Sequence, residues 1–119
     1  MKMLERIDFF SQAPPMRGYT GSTFPEFRIS VSDKDLTGCT MEVQLENRYN
    51  PGQVKFHKSC TYYSESGEEG YTVQLDSADT ADLSGTYTMY FVLTDANDNN
   101  FYNLVGILEV LDPPQGVVT

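Results

Sequence analysis

Apolar and polar residues alternate along the chain in short runs, the mark of β-strands that bury one face. In PEFRISVS, Phe27, Ile29 and Val31 point one way while Arg28, Ser30 and Ser32 point the other. TMEVQLEN sets Met41, Val43 and Leu45 against Glu42, Gln44 and Glu46. The run QVKFHKSCTYY, residues 53–63, reads as one further strand with Val54, Phe56, Cys60 and Tyr62 on one side, interrupted by Lys58. YTVQLD turns Tyr71, Val73 and Leu75 inward, and TYTMYFVLT (86–94) and FYNLVGILEVL (101–111) complete the series. SDKDLTG, NPG, SESGEEG, DSADTADLSG and DANDNN separate the runs as turns, being rich in residues that tolerate tight backbone torsions. Strands of about six residues at this spacing predict an all-β antiparallel sandwich or barrel. No segment carries a long helical period; SADTADL fits one helical turn with Ser77 as its cap.

The ends differ from the middle. SQAPPMRGYTGS is rich in Pro, Gly and Ser, so residues 1–21 are expected to form a flexible arm, ordered only by a partner. The tail DPPQGVVT has the same character, which leaves 22–112 as the sandwich domain and 113–119 as a C-terminal tail.

The last two strands form a hairpin if Thr94 and Phe101 close it. Phe91 then faces Leu104, Tyr87 faces Leu108 and Tyr90 faces Val105, an apolar match at each pair. Tyr87, Met89, Phe91, Leu93, Leu104 and Leu108 supply one buried face, yet Tyr90, Val92, Val105 and Ile107 make the other face apolar too. One face of a sandwich sheet normally meets water. Either loops or the arm cover this second face, or it is an association surface, and the latter reading makes Tyr90, Val92, Val105 and Ile107 the candidate oligomer interface.

Asp95, Asn97, Asp98, Asn99 and Asn100 crowd the connection between these strands. Asn and Asp hydrogen-bond their own backbone in tight connections, so a turn accounts for them. An EF-hand reading puts Asn100 where Gly is needed and Gly106 where a bidentate Glu is needed. DANDN is similar to the interdomain calcium motif of cadherins, but here a full strand follows it, and the other acidic motifs are missing. A hard cation at this loop would be weakly held.

Composition narrows the function. With 17 acidic and 8 basic side chains in 119 residues, a net charge of −9 disfavours nucleic acid and anionic membrane as partners. The apolar stretches fall short of the ~18 residues of a membrane helix, and Glu5, Arg6 and Asp8 interrupt the start as a signal-peptide core, so a cytoplasmic origin is expected. Cys39 and Cys60 read as small buried hydrophobes. A hairpin near NRYNPG would set them almost opposite one another, which keeps oxidation open outside the cell. His57, the single histidine, lies beside Lys55 and Lys58 on a polar strand face without an evident acid, nucleophile or metal partner. Glu65, Glu68, Glu69, Asp76, Asp79 and Asp82 sit in turns, where solvation explains them. No catalytic residue, metal ligand or cofactor is expected.

FRISVSDKDLTGCTMEVQLEN, followed by YTVQLDSADTADLSGTYTMYFVLTDANDNNFYNLVGILEVL, resembles the N-terminal immunoglobulin-like domain of phage upper-baseplate proteins. The matching elements are the Asp35–Gly38 turn, the corner from Asp79 to Leu83, Gly85 with Tyr87, Phe91, and the Asp95–Asn99 hairpin. Spacing departs from the immunoglobulin D-x-G-x-Y pattern, since Asp82 lies one place too early. The resemblance implies an immunoglobulin-like β-sandwich of about seven strands, with Gly85 and Tyr87 forming a structural corner. It also implies a small non-enzymatic tail or baseplate component of a phage or prophage. Such a protein associates with itself and with other virion proteins, and is found in the virion and in the bacterial cytoplasm during assembly. The alternative is an immunoglobulin-like surface module that binds carbohydrate or protein through exposed aromatics such as Tyr49, Tyr62 or Tyr63.

Overall fold

The computed structural model describes residues 4–8, 16–31, 34–50 and 52–112, with backbone alone for 4–8 and for Leu104 and Val105. Among the described residues, nine strands and one helical turn follow in order: β1 (Leu4–Asp8), β2 (Met16–Tyr19), β3 (Glu26–Ser30), β4 (Thr40–Asn47), β5 (Val54–Ser59), β6 (Thr61–Glu65), β7 (Glu68–Val73), α1 (Ser77–Thr80), β8 (Gly85–Thr94) and β9 (Asn100–Leu111). They build two sheets, a four-stranded one in the order β1-β3-β7-β6 and a five-stranded one in the order β2-β9-β8-β4-β5. The two sheets pack face to face as an all-β sandwich, and β4, β8 and β9 sit side by side within the five-stranded sheet. Nine strands stand where about seven were expected, because the first 21 residues contribute two.

Period-two burial explains the layering. Phe27, Ile29, Val43, Leu45, Phe91, Leu93 and Leu108 are at most 1% exposed and meet between the sheets, while their neighbours along each strand face outward. Phe27 from one sheet and Phe91 from the other pack edge to face with ring centroids 6.5 Å apart.

Tyr87 forms the corner that the sequence suggests. Its ring is buried, its hydroxyl donates to the Ser84 carbonyl at 2.9 Å, and the Ser84 amide donates back to it at 3.0 Å. Gly85, between them, sits at a φ of 106°, which a side chain would resist. Two residues after Tyr87, where antibody domains carry a disulfide cysteine, stands the fully buried Met89, so this core is closed by packing alone at that point. Tyr87→Phe is expected to cost about 0.5–1.5 kcal/mol, the net worth of a typical hydrogen bond, since the exposed Ser84 backbone groups can turn to water; chemical denaturation that finds wild-type stability would show that the hydroxyl adds nothing to the corner.

Of the segment expected to form a flexible arm, residues 4–8 and 16–19 form strands, and residues 1–3 and 9–15 lie outside the described residues. β1 pairs in parallel with β3 and β2 in parallel with β9, so one N-terminal segment borders both sheets. β2 is fixed by backbone and side-chain bonds: the Thr20 amide donates to Leu111, the Thr20 hydroxyl to Leu83 and the Thr80 hydroxyl to Ser22. Gly18 makes the approach feasible, because a Cβ there would run into the Phe24 ring. The C-terminal tail, 113–119, lies outside the described residues.

Residues 53–63 form two strands instead of one. β5 pairs with β4 in the five-stranded sheet, whereas β6 pairs with β7 in the other, and the chain changes sheets at Cys60. Lys58 occupies a core-side position opposite Val43, and its long stem carries the amine out to the Gln74 carbonyl at 2.8 Å and the Asp79 carboxylate at 2.5 Å. Burial opposes charge on Asp79, but the Lys58 bond and the Asp76 backbone donor together hold its pKa below the usual range. The cap of α1 is Asp76 and not Ser77, in a capping box whose second member is Asp79.

Candidate functional site

The hairpin of β8 and β9 turns through Asp95–Asn99, with Thr94 paired to Asn100 and not to Phe101. One Asp95 carboxylate oxygen accepts from the amides of Asn97 and Asn99, and the other from the Asn99 side chain. The Asn99 backbone donor leads the interactions that lower the Asp95 pKa. Asp98 takes a left-handed φ of 62°, a conformation Asp adopts more readily than most residues. The carboxylate is thereby used inside the turn that the sequence required. No group of three or more His, Cys, Asp or Glu side chains with metal-holding geometry occurs among the described residues.

Past the turn the register corrects the expected pairs. Tyr87 faces Leu108 as anticipated, but a bulge between Met89 and Tyr90 places Gly106 opposite Met89 and Leu104 opposite Tyr90, leaving Val105 without a cross-strand mate. Phe91 consequently faces Asn103, and Tyr102 faces Val92. Gly106, at a φ of 149°, is the residue that lets β9 make this bulge.

The four candidate interface residues therefore part company. Tyr90 and Ile107 are half-buried on the outer face of the five-stranded sheet. Val92 shares that face but is only 6% exposed, already covered within the single chain. Val105 lies at the bulge, and its side chain is outside the described residues. Tyr102, 64% exposed and on the same face opposite Val92, is the residue that sequence reasoning missed. An unbroken alternation turns it inward, and the lone glycine at 106 was the signal that the alternation breaks.

Around this apolar row the face is polar. Thr40, Glu42, Gln44, Ser59, Thr94 and Asn100 join Val92 and Tyr102 around a shallow groove of about 340 Å³. His57 projects from β5 on the same side, largely in solvent, with Nδ1 3.5 Å from a Glu42 oxygen. A second shallow cleft, of about 260 Å³, lies by Ile107 between Met16 and the Arg17–Glu109 ion pair, whose atoms are 2.8 Å apart.

The alternative aromatic platform does not assemble. Tyr49 is exposed in the β4–β5 turn, while Tyr62 and Tyr63 project from opposite faces of β6. Their hydroxyls donate to Glu69 and Glu68 respectively, and Arg28 stacks on the Tyr63 ring at 4.7 Å. Cys39 and Cys60 are free, half-buried thiols. The Cys60 amide donates to Met41, two residues from Cys39, so the ladder sets Cys60 against Met41. Burial pushes the Cys60 thiol up to about 12, which keeps it from acting as a thiolate at neutral pH.

No helix among the described residues is long and apolar enough to cross a membrane. Comparison with protein-family models gives no match to the chain, and a search of curated proteins finds no relative.

Proposed function

We propose that this chain is a small non-enzymatic structural protein of a phage or prophage particle, a tail or baseplate component that acts through protein–protein contacts. The observation that carries this reading is the outer face of the β8–β9 hairpin, where Tyr90, Ile107 and Tyr102 stand outside a core that is already filled. Apolar side chains that the core does not use are what an association surface requires. The resemblance of residues 24–111 to upper-baseplate domains points the same way. The partners would be copies of this chain and other virion proteins, met in the host cytoplasm during assembly and kept in the virion.

Ile107→Glu tests it. The substitution puts a charge on the outer face and touches no residue of the sealed core, so the purified domain should keep its circular dichroism and melting temperature. Its incorporation into purified particles, read by mass spectrometry, should fall at least about tenfold, which corresponds to about 1.4 kcal/mol of lost association. Wild-type chain absent from purified particles would sink the proposal, and equal incorporation of the variant would move the contact off this face.

A second reading has its own observation. The loop that ends at Gly38 and the β8–β9 turn meet at one end of the sandwich, where Lys34 lies 4.5 Å above the Phe101 ring and Gly38 abuts Ala96. Loops clustered at one end are where immunoglobulin-type binding modules hold ligands. Ligand-induced shifts of the Lys34 and Asn97 amides, with the β8–β9 face unaffected, would favour a binding module.

A further inference from the structure

We propose that two copies of the chain pair through β6, edge to edge and antiparallel about a twofold axis, joining their four-stranded sheets into one. The inference deepens the assembly reading above and rests on it, but it uses a different surface from the β8–β9 face.

Each sheet has two edges, and among the described residues both edges of the five-stranded sheet, β2 and β5, are guarded. β5 carries Lys55 and a register shift opposite Leu45 and Glu46. β2 is four residues long with Arg17 in it. Lysines, arginines, bulges and short length are the usual means of stopping a sheet edge from recruiting another strand. β6, with the sequence TYYSE, has no Lys, Arg or Pro, and its pairing with β7 runs through five successive residues without a shift.

The hairpin geometry says which backbone groups are on offer. Ser66 and Gly67 form the two-residue connection, both at positive φ (51° and 79°), and Glu65 closes it opposite Glu68. In a hairpin of that kind the closing pair exchanges both ladder bonds, and bonded pairs then alternate. Glu65, Tyr63 and Thr61 thus aim their amides and carbonyls at β7, whereas Tyr62 and Ser64 aim theirs at the open edge.

A second β6 fits this edge in one register. Centred on Tyr63, antiparallel pairing sets Tyr62 opposite the partner's Ser64 and Ser64 opposite the partner's Tyr62, so the outward groups form two doubly bonded pairs. Thr61 meets the partner's Glu65, and no like charges face each other directly. The two tyrosines at the centre form the close, non-bonded kind of pair, in which aromatic side chains interact best. Glu65 also has Arg28 3.5 Å away, which offsets part of its charge. An edge of five residues buries far less than the roughly 1,200–2,000 Å² of a stable interface. The dimer is therefore weak in dilute solution and suited to copies already held side by side on a particle, where effective concentration replaces affinity.

The test combines sedimentation from micromolar to millimolar protein with amide hydrogen exchange. The expected result is a monomer–dimer equilibrium in which exchange at Tyr62 and Ser64 slows as protein concentration rises. Ser64→Pro removes an outward donor, and Ser64→Lys adds an edge charge; neither breaks a ladder bond to β7. Each should weaken the dimer at least about tenfold with the melting temperature kept, and agreement between the two guards against a folding artefact of proline. A dimer that survives both variants, exchange at Tyr62 and Ser64 that ignores concentration, or a monomer throughout would overturn the edge pairing. Loss on Ile107→Glu but not on either Ser64 variant would also overturn it while leaving the assembly reading intact. Absence of the chain from particles, together with an intact β6 dimer, would instead remove the assembly reading alone.

Discussion

Gly70→Val should unfold most of the protein at temperatures where the wild type is fully native. Gly70 is buried in β7 and is paired on both sides, with Ser30 of β3 and Tyr63 of β6. A Cβ at this position would overlap the Ile29 carbonyl and the Ser30 Cα, which are backbone atoms of the neighbouring strand. A flexible side chain could swing aside; a paired strand cannot move without opening the ladder. Overpacking a core costs about 1–3 kcal/mol and sometimes more, and here the clash adds the loss of β3–β7 bonds. With about 4 °C of melting temperature per kcal/mol, between the values for smaller and larger domains, a fall of about 10 °C or more is expected. Valine is otherwise a good strand residue, so the sign of the effect isolates the close approach. A midpoint within a few degrees of wild type would mean that the two strands are farther apart than described.

Phe91→Ala should be comparably severe, for the opposite reason. The Phe91 ring is fully buried, edge-on to Phe27 across the two sheets, and its strand position lies between Val43 and Asn103. Removing it empties the middle of the sandwich, and such truncations cost about 3–5 kcal/mol. Native domains have only about 5–15 kcal/mol in total. Urea denaturation should therefore show a much lower midpoint with an unchanged slope, the sign that stability and not compactness has altered. Phe91→Leu, which keeps most of the volume, should lose less than half as much. A small loss in the alanine variant would show that the sheets collapse onto each other and fill the space.

The strands that bury one face were legible because the side chain of every second residue decides them. Phe27 and Ile29, Met41, Val43 and Leu45, and Tyr71 with Val73 all occupy the inner positions their alternation assigned. The corner at Tyr87 was legible because its chemistry is local, a glycine and a hydroxyl within three residues. What escaped has physical causes as well. β1 and β2 are short and parallel, and β2 is fixed by backbone bonds and by one missing Cβ at Gly18, none of which leaves a hydrophobic period. The change of sheet at Cys60 was hidden by Lys58, whose core-side stem and solvent-side amine belong to both classes of residue. On β9 both faces are apolar, so the one-residue slip at Val105 altered no pattern, yet it exchanged the partners of Tyr90 and Phe91. That slip is also why Tyr102 was absent from the expected candidate face.

The parallel pairing of β2 with β9 bears on how the domain carries load. Met16 through Tyr19 run beside Leu108 through Leu111 in the same direction, and the Thr20 amide adds a bond of 2.8 Å to Leu111. If tension enters ahead of β2 and leaves beyond β9, the two strands are drawn past one another along their length. Every bond in that short ladder is then stressed together, and none can open until all do. In an antiparallel hairpin pulled at its two free ends, by contrast, bonds peel one at a time. A pull applied at the start of β2 and the end of β9 thus loads this ladder in shear, and β2 acts there as a clasp.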